Sequence, residues 1–592
     1  MADNKYHVDE KSPWFTKEAG WPEEVPKNMD FPKLTLGEML QETADRHPDN
    51  KAIWFLDTYV TYKELNDHVN AFATSLHNLG FKKGDVLSLM LPNSIQYVVS
   101  YYAAARIGVI ASGINPTYKP AEVLHQLKTV GSKGLIFLDA LYEEQIAPII
   151  DKSPVKTLIA TNVVDLVKIS GLKKFLGKLL GKIPTGNVPA SSLQYLELLN
   201  IKPDVPRVDV DCEDTATYIM TGGTTGTPKA AVLTHHNCVS NVLQSSAWIY
   251  KVKENAAMVG VLPLFHSFAM TCVMNISIRK GGWMMLFARP PQVKELAETI
   301  IRIGPKEATY YVGAEILFKR MADFMEDPEN KEKYKDLAGV IDLCVSGAGP
   351  LHRPVQEAFE KHTGGRLVEG YGLTETSPVV CAGPFWGNRK TGSIGLPFPG
   401  TDWRIVDMTD YKKTLGFGKD NVGEIAVAGP QVMKGYLNRD EETADTVVEM
   451  DGKRWCLTGD LGYMDEQGSI YISDRKKQLI KYKGYSVFPK EVEELVGNHE
   501  SVSEVAVAGL PDKEAGEIIK AWVVLKDSFK GKIKEDEMLA WCRDNMTHYK
   551  VPKFIEFRDE VPKSLIGKVL RRELQEADPI YMKHLEDEKK GG

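Results

Sequence analysis

The chain has 592 residues, 43% hydrophobic and 26% charged, with a net charge of −7. That length exceeds one compact domain, and the balance excludes a globally disordered chain. It also excludes a default nucleic-acid partner, which needs concentrated Lys and Arg. The seven cysteines are scattered without a CxxC pair, the pattern of a reducing compartment and no metal framework.

The first residues, MADNKYHVDEKSPWF, lack the basic and then apolar runs of a signal peptide, and no apolar stretch is long enough to cross a bilayer. A cytoplasmic protein is expected, with peripheral contact at the inner membrane surface left open. From Leu36 to Asp139 helix-like and strand-like patterns alternate. Val86 to Leu91 reads as a strand, Asn93 as a cap, and Ile95, Val98, Val99 and Tyr102 as one face of the next helix. Leu135 to Leu138 is strand-like again, so the rhythm predicts α/β layers around a largely parallel sheet.

Between Leu172 and Ile183, Leu172, Phe175, Leu176, Leu179, Leu180 and Ile183 recur at helical spacing, with Lys173, Lys174, Lys178 and Lys182 opposite. Two readings stand: a surface helix packed on its own domain or on a twin subunit, and a helix lying on an anionic membrane surface. Gly177 and Gly181 weaken the helix itself.

The strand-like Ala216 to Met220 leads into Thr221, Gly222, Gly223, Thr224, Thr225, Gly226, Thr227, Pro228 and Lys229. Glycines let backbone N–H groups turn toward an anion, the threonine hydroxyls donate to phosphate oxygens, and Lys229 supplies charge. The stretch is therefore a candidate loop for nucleotide phosphates. It is not a Walker A motif, because Thr227 stands where that motif needs Lys. Gly347-Ala348-Gly349 lacks the third glycine of a dinucleotide fingerprint, and no GxSxG elbow is present.

The pattern changes near Asp474, beyond which a small α+β unit follows. Pro489 is a good first-turn residue for a helix carrying Val492, Leu495 and Val496. Val505 to Ala508 and Ala521 to Leu525 read as strands, and the last dozen residues as a frayed tail.

The Thr221–Lys229 loop, followed by Leu233-Thr234-His235-His236-Asn237, resembles the phosphate loop of the adenylate-forming superfamily, above all that of long-chain fatty acid–CoA ligases. Gly222 stands where many members have Ser, and Ala230 where they have Gly. Further matches follow in order down the chain: Pro263 to Ala269, Ser346 to Leu351, Glu369 to Thr376, Trp455 to Asp460, Lys481 to Tyr485 and Pro562 to Lys568. The resemblance implies a large N-terminal adenylation domain, 1–476, and a small mobile C-terminal domain, 477–592, hinged at Lys477.

It also implies roles. His266 would face the acyl pocket, Gly347, Ala348 and Gly349 would lie beside adenine and acyl groups, and Gly370, Tyr371 and Gly372 would line the adenine side. Thr374 would bond the α-phosphate, while Glu375 and Thr224 would hold Mg²⁺, which takes hard oxygen ligands. Asp460 would accept from the ribose hydroxyls, and Arg475 would make a further ribose or phosphate contact. Lys481, Lys483 and Gly484 would lie along the coenzyme A path. Lys568 would bridge carboxylate and α-phosphate during adenylation, then leave with its domain so that coenzyme A can enter. The implied reaction joins a carboxylic acid to AMP from ATP and passes the acyl group to coenzyme A.

A long-chain fatty acid is the favoured substrate. At Gly313-Ala314, however, many members carry Val-Pro-Thr, so this pocket wall is altered. Alternatives are a medium-chain or aryl acid, a carrier protein as acceptor, and, outside enzymes, a membrane-surface lipid-binding scaffold. A homodimer is also open.

Overall fold

The computed structural model describes residues 6–221, 228–483, 485–512, 514–563 and 569–591. They divide into two compact units, one of 6–221, 228–403 and 427–456, the other of 404–426 and 457–591. The larger unit holds two broad sheets. One has eight strands in the order Gly435–Tyr436, Lys229–Thr234, Thr215–Thr221, Ile110–Gly113, Val86–Met90, Gly134–Leu138, Thr157–Thr161 and Leu193–Gln194. Its central strands pair in parallel, as the strand–helix–strand rhythm predicts. The helix Ile95–Arg106 is buried all round except at Arg106, and its mostly apolar sequence fits such a position.

The second sheet of that unit has nine strands. At its heart Thr309–Gly313, Ile341–Ser346 and Arg366–Gly372 run parallel, with Gly313 beside Ser346 and Ser346 beside Glu369. The turns after Gly313 and Ser346 therefore leave the same carboxyl edge beside Glu369, the place where open α/β sheets receive ligands. Trp54, Met285, Tyr311, Phe318 and Phe359 fill the core on one face.

The smaller unit is built on the long hairpin Val502–Asp512 and Gly516–Leu525. Side-chain alternation splits it in two. Val507, Ile519 and Val523 pack with Val492 and Val496 of helix Pro489–Gly497 and with Met538 and Cys542 of helix Glu535–Asn545. Ala506, Leu510, Ile518 and Trp522 face the other way, onto Leu574.

Four expectations need correction. Ser94, not Asn93, caps the helix at Ile95, its hydroxyl accepting from the Tyr97 N–H. The C-terminal tail is helix, Pro579–Gly591, because Ile580 and Tyr581 pack against the Trp522 face. The amphipathic segment is a shorter helix, Gly171–Leu179, and most of its apolar stripe is left exposed: Leu172, Phe175, Leu176, Leu179 and Leu180 are 68%, 63%, 43%, 70% and 65% exposed. Its glycines serve the turn: Gly181 takes the left-handed conformation that ends the helix, and a Cβ on Gly177 would meet Ile183. The cysteines, all free and buried, do contribute one grouping of metal-ligand type, in which Cys212, Glu213 and His236 bring ligand atoms within 4.8 Å of one another. Among the described residues no helix is long and apolar enough to cross a membrane.

Candidate active site

Residues 222–227 lie outside the described residues, as do Gly484 and Lys568, so nothing is placed for those expectations. The residues that flank 222–227 are described. Thr221 pairs with Lys229 at the end of an antiparallel ladder, and its hydroxyl donates to the Lys229 carbonyl at 3.4 Å. The Lys229 ammonium sits over the Tyr436 ring, 4.7 Å from its centroid.

Tyr436 belongs to a two-residue strand paired with Ala231, and no sequence motif pointed to it. Its phenol donates to Glu375 Oε1 at 2.5 Å. Burial, then the neighbouring Glu375 charge, push the phenol far above its ordinary pKa, so it remains a donor. Lys229, Tyr436 and Glu375 thus form one chain of contacts from a cation through an aromatic ring to a carboxylate.

Glu375 stands in the short turn Thr374–Thr376. A Cβ on Gly372 would lie 2.1 Å from the Pro378 carbonyl oxygen, so only glycine fits there. Ser377 has a φ of 69° and is held by its hydroxyl donating to the Gln431 carbonyl and by Thr271 donating to its own carbonyl. The Met433 N–H donates to the Glu375 carbonyl at 2.8 Å. Glu375 is thus a carboxylate held in place by Tyr436 and by its turn, a hard oxygen donor of the kind that fits Mg²⁺.

His266 caps the short helix Ser267–Ala269 through Nδ1, which accepts from the Phe268 N–H at 3.3 Å. The next residue, Ser267, brings its hydroxyl 3.3 Å from that of Thr374, so the His266 and Thr374 motifs meet. Asn93 holds the approach to this turn. Its amide donates to the carbonyls of Gly260 and Leu262, and its Oδ1 accepts from the Leu264 N–H at 2.8 Å. Phe268 lies against Gly347, where a Cβ would stand 2.8 Å from the ring. The Gly347 N–H donates to Gly313, Ala348 has a φ of 66°, and Gly349 has open space above it. Gly370 and Tyr371 continue the neighbouring strand.

In the smaller unit Asp460 pairs with Arg475 across a hairpin, with Arg475 Nε 3.0 Å from Asp460 Oδ1. Gly459, at a φ of 73°, turns the strand just before Asp460. The buried Glu424, which no motif marked, accepts from the Gly459 N–H at 2.9 Å and from the Lys476 ammonium at 2.7 Å. Lys477 follows in the short turn Lys476–Gln478. Lys481 and Lys483 lie on the next hairpin, where the Lys481 N–H donates to Glu517 and the Lys483 N–H to the Ala515 carbonyl. On either side of the stretch that holds Lys568, Lys563 bridges Val569 and the Leu570 N–H donates to the Pro562 carbonyl.

Residues 40–437 match the family described as AMP-binding enzyme, and 491–568 match the AMP-binding enzyme C-terminal domain. A long-chain-fatty-acid–CoA ligase of Bacillus subtilis is 39% identical over 96% of this chain and 99% of its own, and one of Yersinia pestis is 36% identical over 94% and 97%. Among solved structures, ATP-bound MatB from Rhodopseudomonas palustris superposes with a TM-score of 0.77 at 25% identity, covering 92% of this chain and 99% of that one. With both domains matched, in order and over nearly the full length, the chain belongs to the AMP-binding enzyme family.

Proposed function

We propose that the chain is an AMP-forming fatty acid–CoA ligase with a preference for long-chain acids. The observation that carries the reading is the meeting of motifs at one sheet edge. Thr374 and Glu375, the Ser346–Gly349 turn and the His266 turn come together there, with Lys229 linked to Glu375 through Tyr436.

In the first step a carboxylate oxygen attacks the α-phosphorus of ATP, a new P–O bond forms, and the bond to the β-phosphate breaks to release pyrophosphate. Catalysis there is positioning and charge neutralisation. Lys229 and the Thr221–Thr227 loop hold the departing pyrophosphate, Thr374 bonds the α-phosphate, and Tyr371 lies against adenine. Asp460 and Arg475 hold the ribose, and Lys568 brings the two anions together. Glu375, with Thr224, would hold Mg²⁺, which supplies further neutralisation of phosphate charge when bound. In the second step the coenzyme A sulfur attacks the acyl carbon and AMP leaves. We assign this step to a domain movement about Lys477, with Lys481, Lys483 and Gly484 along the thiol's path. On this reading the functional boundary lies at 476/477.

The test is a panel of aliphatic and aromatic acids assayed for pyrophosphate release and for thioester. Long-chain acids should give the highest kcat/KM. A chain that never splits ATP with any acid is not a ligase, and one that favours aryl acids has a different pocket.

The exposed stripe on Gly171–Leu179 supports a second reading, peripheral attachment of a cytoplasmic protein to anionic lipid. No acidic residue occurs from Leu166 to Leu196, a stretch that holds five lysines in a chain of net charge −7. The protein should sediment with phosphatidylglycerol vesicles and not with neutral ones. Replacing Lys173, Lys174, Lys178 and Lys182 by Gln should abolish this. A lipid-free dimer joined through this helix would make a second copy the occupant instead.

A further inference from the structure

Helix Pro489–Gly497 has no cap of its own, because the residue before it is Phe488, whose side chain makes no cap hydrogen bond. The cap comes from elsewhere. Asp474, on strand Ile470–Arg475, accepts from the Lys490 N–H through Oδ2 at 2.8 Å. Through Oδ1 it accepts from the Arg475 N–H at 2.7 Å. Lys490 returns the contact, its ammonium donating to the Ile472 carbonyl at 3.1 Å. The carboxylate is buried at the positive end of the helix, whose N–H donors offset part of the cost of burying a charge. A second brace runs beside it: Arg571 grips Glu493 of the same helix with Nε and Nη2 and donates through Nη1 to Gln478.

These contacts join a strand that ends at Arg475 to a helix that starts at Pro489, and Lys477 lies on the chain between. We propose that Asp474 is a positioning residue for the ligase reaction, capping the helix beyond the hinge from the strand before it and so holding the turn Lys476–Gln478 relative to that helix. The inference rests on the assignment of the hinge to Lys477. It goes beyond that assignment by naming the contact that a movement about Lys477 must break or keep.

The charges around Asp474 make the cap sensitive to pH. Burial raises its carboxyl to about 6, Arg571 pulls it down and Glu493 pushes it up, while Lys490 and Arg475 contribute the two N–H donors. Released to water it would titrate near its ordinary value of 3.8. A pKa raised in the capped arrangement means that protonation favours that arrangement. The advantage is full below about 4 and is lost as pH rises through about 6.

The experiment uses the full chain with Asp474→Ala and Asp474→Asn, read by hydrogen exchange and by the two half-reactions. Asp474→Ala should speed exchange of the Lys490 amide and the first turn of its helix about fivefold, the effect of losing one cap, and leave amides of strand Gly516–Leu525 unchanged. The ratio of adenylation rate to thioester rate should move with it. In the unaltered chain that first turn, corrected for intrinsic exchange, should be better protected at pH 5 than at pH 7.5, and Asp474→Asn should erase the difference. Unchanged exchange in Asp474→Ala overturns the proposal. So does an equal loss in both half-reactions that merely follows Tm. Absence of any acid-dependent pyrophosphate release in the unaltered chain would instead count against the ligase reading, and the exchange result would still decide whether Asp474 caps the helix.

Discussion

The Tyr436 hydroxyl donates to Glu375 Oε1 at 2.5 Å while the face of the same ring carries the Lys229 ammonium at 4.7 Å. One side chain therefore fixes a carboxylate suited to a metal and a cation suited to phosphate. The partners arrive from two places in the fold, Lys229 and Tyr436 from neighbouring strands of the eight-stranded sheet and Glu375 from the turn after Gly372.

Tyr436→Phe keeps the ring and loses the donor. Glu375 then loses the bond that orients it, and outer partners of this kind are worth 10- to 100-fold in metal affinity. The Mg²⁺ concentration for half-maximal pyrophosphate release should rise at least about tenfold. An unaltered Mg²⁺ requirement would mean that Glu375 is not the ligand or is oriented without Tyr436.

Asn93 makes three buried hydrogen bonds to backbone groups on the way to His266. Asn93→Ala strands the Leu262 carbonyl and the Leu264 N–H away from water and leaves the Gly260 carbonyl with the Phe287 N–H at 3.4 Å, and each unpaired buried group costs about 1–3 kcal/mol. Thermal or urea unfolding should show a loss of about 3 kcal/mol. At temperatures where the variant stays folded, KM for the acid should rise more than KM for ATP. Equal changes in both KM values would leave Asn93 a purely structural residue.

What the sequence made legible were the local patterns. Short apolar runs showed the strands at Val86 and Leu135, Pro489 marked its helix, and the glycines around 347 and 370 announced turns that needed space. Residues whose meaning lies in distant contacts were not legible. Tyr436 is 61 positions from Glu375 and sits on a strand too short to show a period. Asn93 reads as a cap because Asn is a good one. It is not the cap, because its amide is taken by carbonyls 167 and 169 residues away and the hydroxyl of Ser94 is free to do the local work. The charged C-terminus reads as a frayed tail because its helix is held by packing of Ile580 and Tyr581 on another element.

His235 is buried, and its Nδ1 accepts from the Leu36 N–H at 3.3 Å, so the ring must be neutral on that side. Burial lowers its pKa to about 4, against an ordinary 6.5, with Asp214 opposing the shift. The unfolded chain takes up a proton that the folded one refuses. Stability from this residue is therefore whole above pH 6.5 and falls as pH drops toward 4, by about 3 kcal/mol at most. His235→Gln should flatten the fall in Tm over that window, and a fall as steep as before would assign it to other groups.

Lys568 and Lys477 should separate the two half-reactions. Lys568 is assigned to holding two anions in contact, a task that exists only while the P–O bond forms. Lys568→Ala should therefore lower adenylation by several powers of ten, since positioning and charge neutralisation account for most of such a step. Supplied with preformed acyl adenylate, the same variant should still make thioester at close to the original rate. Lys477→Pro restricts a backbone dihedral in the short turn Lys476–Gln478. It should spare adenylation and depress thioester formation, because only the second step requires Lys568 to withdraw. The measurement is single-turnover kinetics of each half-reaction in both variants. If Lys477→Pro slows both steps alike, the turn is not the pivot. If Lys568→Ala slows both alike, that lysine serves the fold or a common binding step, and the anion-bridging role falls.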